Sequence, residues 1–121
     1  MALFWPYGLG TGLVVMHVTG LYELGVTPEQ SWLYMLENVG RFARWCQDKN
    51  LLVGIELDPH VYFIVNSTRK LAKAMEDLGL PNVYPNVDVG HLVITREEPA
   101  RLEKLKSRLL HVHLSETESF A

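Results

Sequence analysis

The chain has 121 residues, enough for one domain, and is 48% hydrophobic and 21% charged, which excludes a disordered polar segment. A net charge of −3 and a sequence pI near 5.9, with no dense Lys/Arg cluster, argue against a nucleic-acid partner. The apolar start MALFWPYGLGTGLVVMHV lacks a basic leader, is broken by Pro6 and three glycines, and is too short to span a bilayer, so no membrane partner is expected.

Residues 13–18 are a compact β-branched run and read as a strand after an N-terminal loop. After the loop 19–26, Thr27 reads as an N-cap, with Pro28 at the first helical position and Gln30 completing a capping box. The helix it opens runs to about Gln47 and sets Trp32, Met35, Leu36, Val39, Ala43 and Cys46 on one face. Phe42 and Trp45 read as further packing groups of that helix. Cys46 is the sole cysteine and reads as a small apolar core or interface residue; no internal disulfide can form, which fits a reducing, cytoplasmic setting.

The second strand, 51–57, is apolar on both faces until Glu56, as in a parallel strand covered on both sides. The loop 58–66 follows, and Ser67 caps a helix over 68–78 whose buried stripe is Leu71, Ala72, Met75 and Leu78. Gly79 takes the position just past its end, and Pro81 prevents continuation. A third strand covers 83–88, a third helix begins near Glu98-Pro99 and buries Leu102, Leu105 and Leu109 or its neighbour, and a last strand covers 109–114. The order βαβαβαβ, with right-handed crossovers, makes all four strands parallel. Gly8, Gly10 and Gly12 precede a strand instead of following one, so a dinucleotide fingerprint fails, and there is no P-loop or nucleophile elbow.

Each strand ends in a residue able to bind a metal or move a proton: His17, Glu56, Asp88 with His91 three residues on, and His113. The intervals between them are each about one βα repeat, ~30 residues, so the strand ends should meet at one carboxyl-end face. Two carboxylates and an imidazole suit Mn²⁺, Co²⁺, Mg²⁺ or Zn²⁺ and leave room for substrate oxygens. His111 shares a strand face with His113, but the position nearer the strand's end is favoured, and His111 reads as a core histidine. Each residue has a plainer reading: Glu56 as a loop carboxylate, Asp88 as a turn residue beside Gly90, His91 as a helix-entry residue. Asp58, His60 and Glu116 read as solvent-facing loop residues.

The segments GIELDPH, NVDVGHL and LLHVHLSE, in this order and spacing, resemble the xylose isomerase-like TIM-barrel superfamily, which includes sugar isomerases and epimerases, inosose dehydratase-like enzymes and endonuclease IV-type repair enzymes. In the sugar branch a Glu ends the fifth strand, a D-x-x-H motif the sixth and an H-x-H motif the seventh. The resemblance implies that Glu56, Asp88 and His113 are metal ligands, that Glu56 positions the ion and serves as a base, and that His91 contacts substrate. VVMHVTG is similar to the fourth-strand segment, which implies a substrate-side place for His17. The likeness covers about residues 12–118.

It implies an α/β fold of parallel βα units, an incomplete TIM-type barrel of about half the strands, over residues 1–121. The family's eighth-strand Glu ligand has no counterpart here. The implied activity is a metal-dependent sugar isomerase or epimerase acting on a ketose, sugar phosphate or polyol-like substrate through an enediolate. Two alternatives stand beside it. One is an endonuclease IV-like phosphodiesterase, disfavoured by the acidic balance and by Leu57-Asp58-Pro59-His60 where that branch has an N-T-A-G-type loop. The other is a non-catalytic truncated barrel that binds or oligomerises. Four strands cannot close, so two free edges and apolar interior residues such as Val15, Val53 or Ile55 are expected to stand open. A homodimer, the missing barrel half, or segment 2–7 folded over the face would cover them.

Overall fold

The computed structural model describes residues 12–16, 20–109 and 111–114. The alternation of short β-rich runs and amphipathic segments resolves into β1 (Leu13–Met16), α1 (Pro28–Asp48), β2 (Leu52–Glu56), α2 (Thr68–Leu78), β3 (Val83–Asp88), α3 (Val89–Thr95), a 3-10 helix (Pro99–Leu105) and β4 (His111–His113). The strands form one sheet in the order β1-β2-β3-β4, and every neighbouring pair is parallel. This is half of a TIM-type α/β barrel, as the sequence pattern predicts. Among the described residues no helix is long and apolar enough to cross a membrane.

Local chemistry sets the helix ends. Thr27 Oγ1 accepts the Gln30 amide and Gln30 Oε1 accepts the Thr27 amide, both at 3.1 Å, closing the capping box ahead of Pro28. Ser67 Oγ accepts the Lys70 amide at the start of α2, and Gly79 ends that helix in the left-handed conformation at φ 60°, donating to the Met75 carbonyl. Glu97 adds to the α2 cap by accepting the Thr68 amide and hydroxyl.

The sequence reading runs from β3 to a helix near Pro99 with no helix between. The structure places α3 there, and the segment near Pro99 is a 3-10 helix. The run VGHLVIT is short, β-branched and carries a glycine, so propensity argues against a helix. It forms because Asp88 Oδ1 accepts the Gly90 and His91 amides and supplies the cap.

The core lies between the sheet and the helices. Met35, Val39, Ala43 and Cys46 of α1 and Leu71 and Ala74 of α2 pack on Val53, Ile55, Leu57 and Val83. Burial pushes the Cys46 thiol above its usual pKa, which suits an inert core group. Trp45 departs from the packing expected of it: it is exposed and stacks on Phe42 at 5.9 Å. Val53 and Ile55 are also corrected. They are fully buried on the helix side and do not face the barrel interior. Strand alternation places Leu52, Gly54 and Glu56 on the interior face instead. A Cβ built on Gly54 would touch Asn86, Val15 and Leu13, the neighbours expected on that side, and Val15 is half-buried there. Segment 2–7, the strand end at 17–18 and Glu116 lie outside the described residues.

Candidate metal centre

The parallel register carries successive strand ends to one place. Glu56 of β2 pairs with Asn86 of β3, Asn86 with His111 of β4, and Asp88 with His113. Register partners in parallel strands present side chains to the same face, so five polar groups gather on the interior side of three strands.

Glu56 is the centre of this group and is fully buried. Its Oε2 accepts a hydrogen bond from Asn86 Nδ2 and lies 3.0 Å from His113 Nδ1. Its Oε1 lies 3.2 Å from His91 Nδ1. A carboxylate taken out of water must be compensated by donors or by a cation, and here the donors come from β3, α3 and β4. The His91 ring also donates through Nδ1 to the Leu57 carbonyl at 2.9 Å. It reaches this position because the Asp88 cap starts α3 directly at the strand end. Asp88 is nearly buried, so one short carboxylate both orders a backbone turn and faces the cluster.

One ligand atom each from Glu56, Asp88 and His113 lie within 4.8 Å of one another. Ligands on opposite sides of one ion stand about 4 Å apart, given metal–ligand bonds of about 2.0–2.2 Å. Small side-chain rotations therefore suffice for a common ion. Two carboxylates and an imidazole are also the donors that hard or borderline divalent cations take. The residues present fit such an ion.

Of the other residues singled out by sequence, His91 borders the cluster. His17 lies outside the described residues. His60 is exposed and stacks on Tyr62 at 5.4 Å, apart from the cluster's bonds. His111 is half-buried and bonded through Nδ1 to Asn86 Oδ1. Asn86 is the residue that sequence reasoning missed, because it sits within an apolar run. Its signal was parity: two residues before Asp88, it must share that residue's face.

A family model described as a xylose isomerase-like TIM barrel matches residues 7–120. An inosose dehydratase of Clostridium tetani is 30% identical over 95 residues, which are 78% of this chain and 31% of that protein. An inosose dehydratase of Clostridium beijerinckii is 32% identical over 89 residues, 73% of this chain and 29% of its own length. Among solved structures, the IOLI protein with a bound zinc atom superposes with a TM-score of 0.84 at 17% identity, covering 98% of this chain and 43% of that one. The D-allulose 3-epimerase from Methylomonas sp. in complex with D-allulose gives 0.80 at 19% identity, covering 95% and 41%. The chain thus spans about a third of the curated relatives and about two fifths of these solved ones.

Proposed function

The chain belongs to the xylose isomerase-like TIM-barrel family, and on that premise we propose that it carries part of the active site of a metal-dependent sugar isomerase or epimerase-like enzyme. Glu56, Asp88 and His113 are the proposed ligands, and His91 is the proposed substrate contact. The substrate is a ketose, sugar phosphate or polyol-like molecule, and the ion is Mn²⁺, Co²⁺, Mg²⁺ or Zn²⁺. The observation behind this reading is the convergence of those three ligand atoms within 4.8 Å at the carboxyl ends of β2, β3 and β4. The zinc in the IOLI structure and the sugar in the Methylomonas epimerase structure support it. When bound, the ion would supply Lewis-acid stabilisation of negative charge on substrate oxygens.

The chain's own residues supply position and proton handling. Glu56 is dry and bonded from several sides, which suits a group of fixed position. Its acid–base part is shared with His91, whose Nδ1 it faces. The Leu57 carbonyl only accepts, so Nδ1 of His91 carries the hydrogen. In the neutral ring Nε2 is then a lone-pair acceptor for a substrate hydroxyl or for its proton. The reaction class is removal of a carbon-bound proton beside a carbonyl, with Glu56 as the proposed base that takes it, giving an enediolate. Return of the proton to the neighbouring carbon or to the opposite face gives isomer or epimer. His17 is proposed to line the same site, and a cytoplasmic setting belongs to the same reading. An eight-strand barrel needs four more strands, provided by a longer parent chain or by a second copy.

A dehydratase is the second reading, favoured by the 30% and 32% identity to inosose dehydratases. It begins with the same proton abstraction and ends with loss of a neighbouring hydroxyl as water. The experiment is NMR of ketoses and inososes in D₂O with protein and each candidate ion. Ion-dependent deuterium incorporation beside the carbonyl supports proton abstraction, and loss of water from the product selects the dehydratase. Ion binding with no exchange in any sugar would favour a non-catalytic barrel piece.

A further inference from the structure

Asn86 is fully buried at the middle of the cluster. Its side-chain amide bridges two strands: Nδ2 meets Glu56 Oε2 on β2, and Oδ1 meets His111 Nδ1 on β4. An amide has one donating and one accepting end, and a carboxylate only accepts. The end facing Glu56 must therefore be the NH₂, and the end facing His111 must be the carbonyl oxygen. A carbonyl oxygen cannot donate, so His111 must carry its hydrogen on Nδ1. The chain of constraints runs from the carboxylate through the amide to the imidazole, with one orientation at each step.

We infer that Asn86 is a positioning residue that locks His111 in its Nδ1–H tautomer and makes the His111 Nε2 a hydrogen-bond acceptor for a hydroxyl of the substrate. The substrate half of this inference rests on the sugar or polyol reading above; the tautomer half does not. His91 is constrained the same way by the Leu57 carbonyl. The two rings then offer acceptors, not donors, toward a ligand whose most abundant groups are hydroxyls. His111 is half-buried, so a small molecule entering the interior face can reach it. Its ring stands edge-on to His113, with centroids 4.8 Å apart. His111 thereby moves from a core histidine to a group that discriminates hydroxyl from carbonyl.

The test uses the intact protein, labelled with ¹⁵N-histidine and freed of metal by chelation. Long-range ¹H–¹⁵N correlation reads which ring nitrogen of His111 is protonated. The expected pattern is Nδ1 protonated and Nε2 not. Asn86→Leu removes the oxygen acceptor and should release His111 to the Nε2–H form usual for free imidazole, while exposed His60 stays unchanged. An Nε2–H His111 in the unmutated protein overturns the inference, and that result does not depend on whether Asn86→Leu folds. D-Fructose titrated with Mg²⁺ present should then shift the His111 Nε2 resonance. Calorimetric binding of fructose without that shift would overturn the substrate half. An intact tautomer pattern with no binding of any sugar would count against the sugar reading and leave the role of Asn86 standing.

Discussion

The two faces of the sheet are built from alternate residues of the same strands and do opposite work. On the helix side, Val53, Ile55, Val83 and Val87 are 0–2% exposed, and their burial gains about 1.5–3 kcal/mol for each large side chain. On the interior side the same strands carry Glu56 and Asn86, which are equally dry but polar, and Asp88, which is nearly so, and these persist only because each is bonded. Burial alone therefore does not separate core from site here; the partner does. A one-residue slip in register would exchange the two faces and destroy both.

The largest effect that would break this comparison lies on the apolar face. Ile55→Ala should cost about 3 kcal/mol in urea unfolding, with ion affinity of the folded fraction unchanged. A loss under about 1 kcal/mol, at the level of an ordinary surface change, would mean that this face is not tightly packed. Asp88→Ser sharpens the other side. A serine hydroxyl can still accept the Gly90 amide and cap α3, so stability should move by less than about 1 kcal/mol. Ion affinity measured by calorimetry should nonetheless fall by at least about tenfold, the low end of what even outer-shell changes cost. Parallel loss of both would show that cap and site cannot be separated.

Thr27→Ala, far from both faces, should lower stability by about 1 kcal/mol through the lost capping box and leave ion binding alone. The smallest effect concerns acid. Lys73, and then the Trp32 indole at 2.7 Å, hold the Asp77 carboxyl below its usual range. A lowered folded-state pKa contributes stability above the unfolded value, and that contribution is lost as pH falls through the folded one. Between neutral pH and the acid side of the ordinary aspartate range, this exposed contact should account for only about a few tenths of a kcal/mol. Asp77→Asn should reduce the loss of unfolding free energy over that pH range by that amount.

The strands and the two long helices were legible because hydrophobic period, caps and Gly79 agree at each position. The strand end at Asp88 was legible for the same reason. The helix α3 was not, since VGHLVIT opposes a helix locally and only the Asp88 side chain, acting across the strand–helix boundary, overrides it. The side of Val53 and Ile55 was misassigned although parity with Glu56 determines it. In a run apolar on both faces, composition carries no directional signal, and only the polar residue marks the interior. Asn86 was hidden by the same apolar context. Its role depends on two partners, Glu56 and His111, that are remote in sequence.

The central claim is that Glu56, Asp88 and His113 hold one divalent ion. It is tested most directly by calorimetric titration of Mn²⁺ into the protein and into Glu56→Gln, with circular dichroism showing both folded. The glutamine keeps the shape and removes the charged ligand. The expected result is one ion per chain, with affinity reduced on the order of 100-fold in the variant, about 2.7 kcal/mol. Equal affinity in the two proteins would contradict the claim.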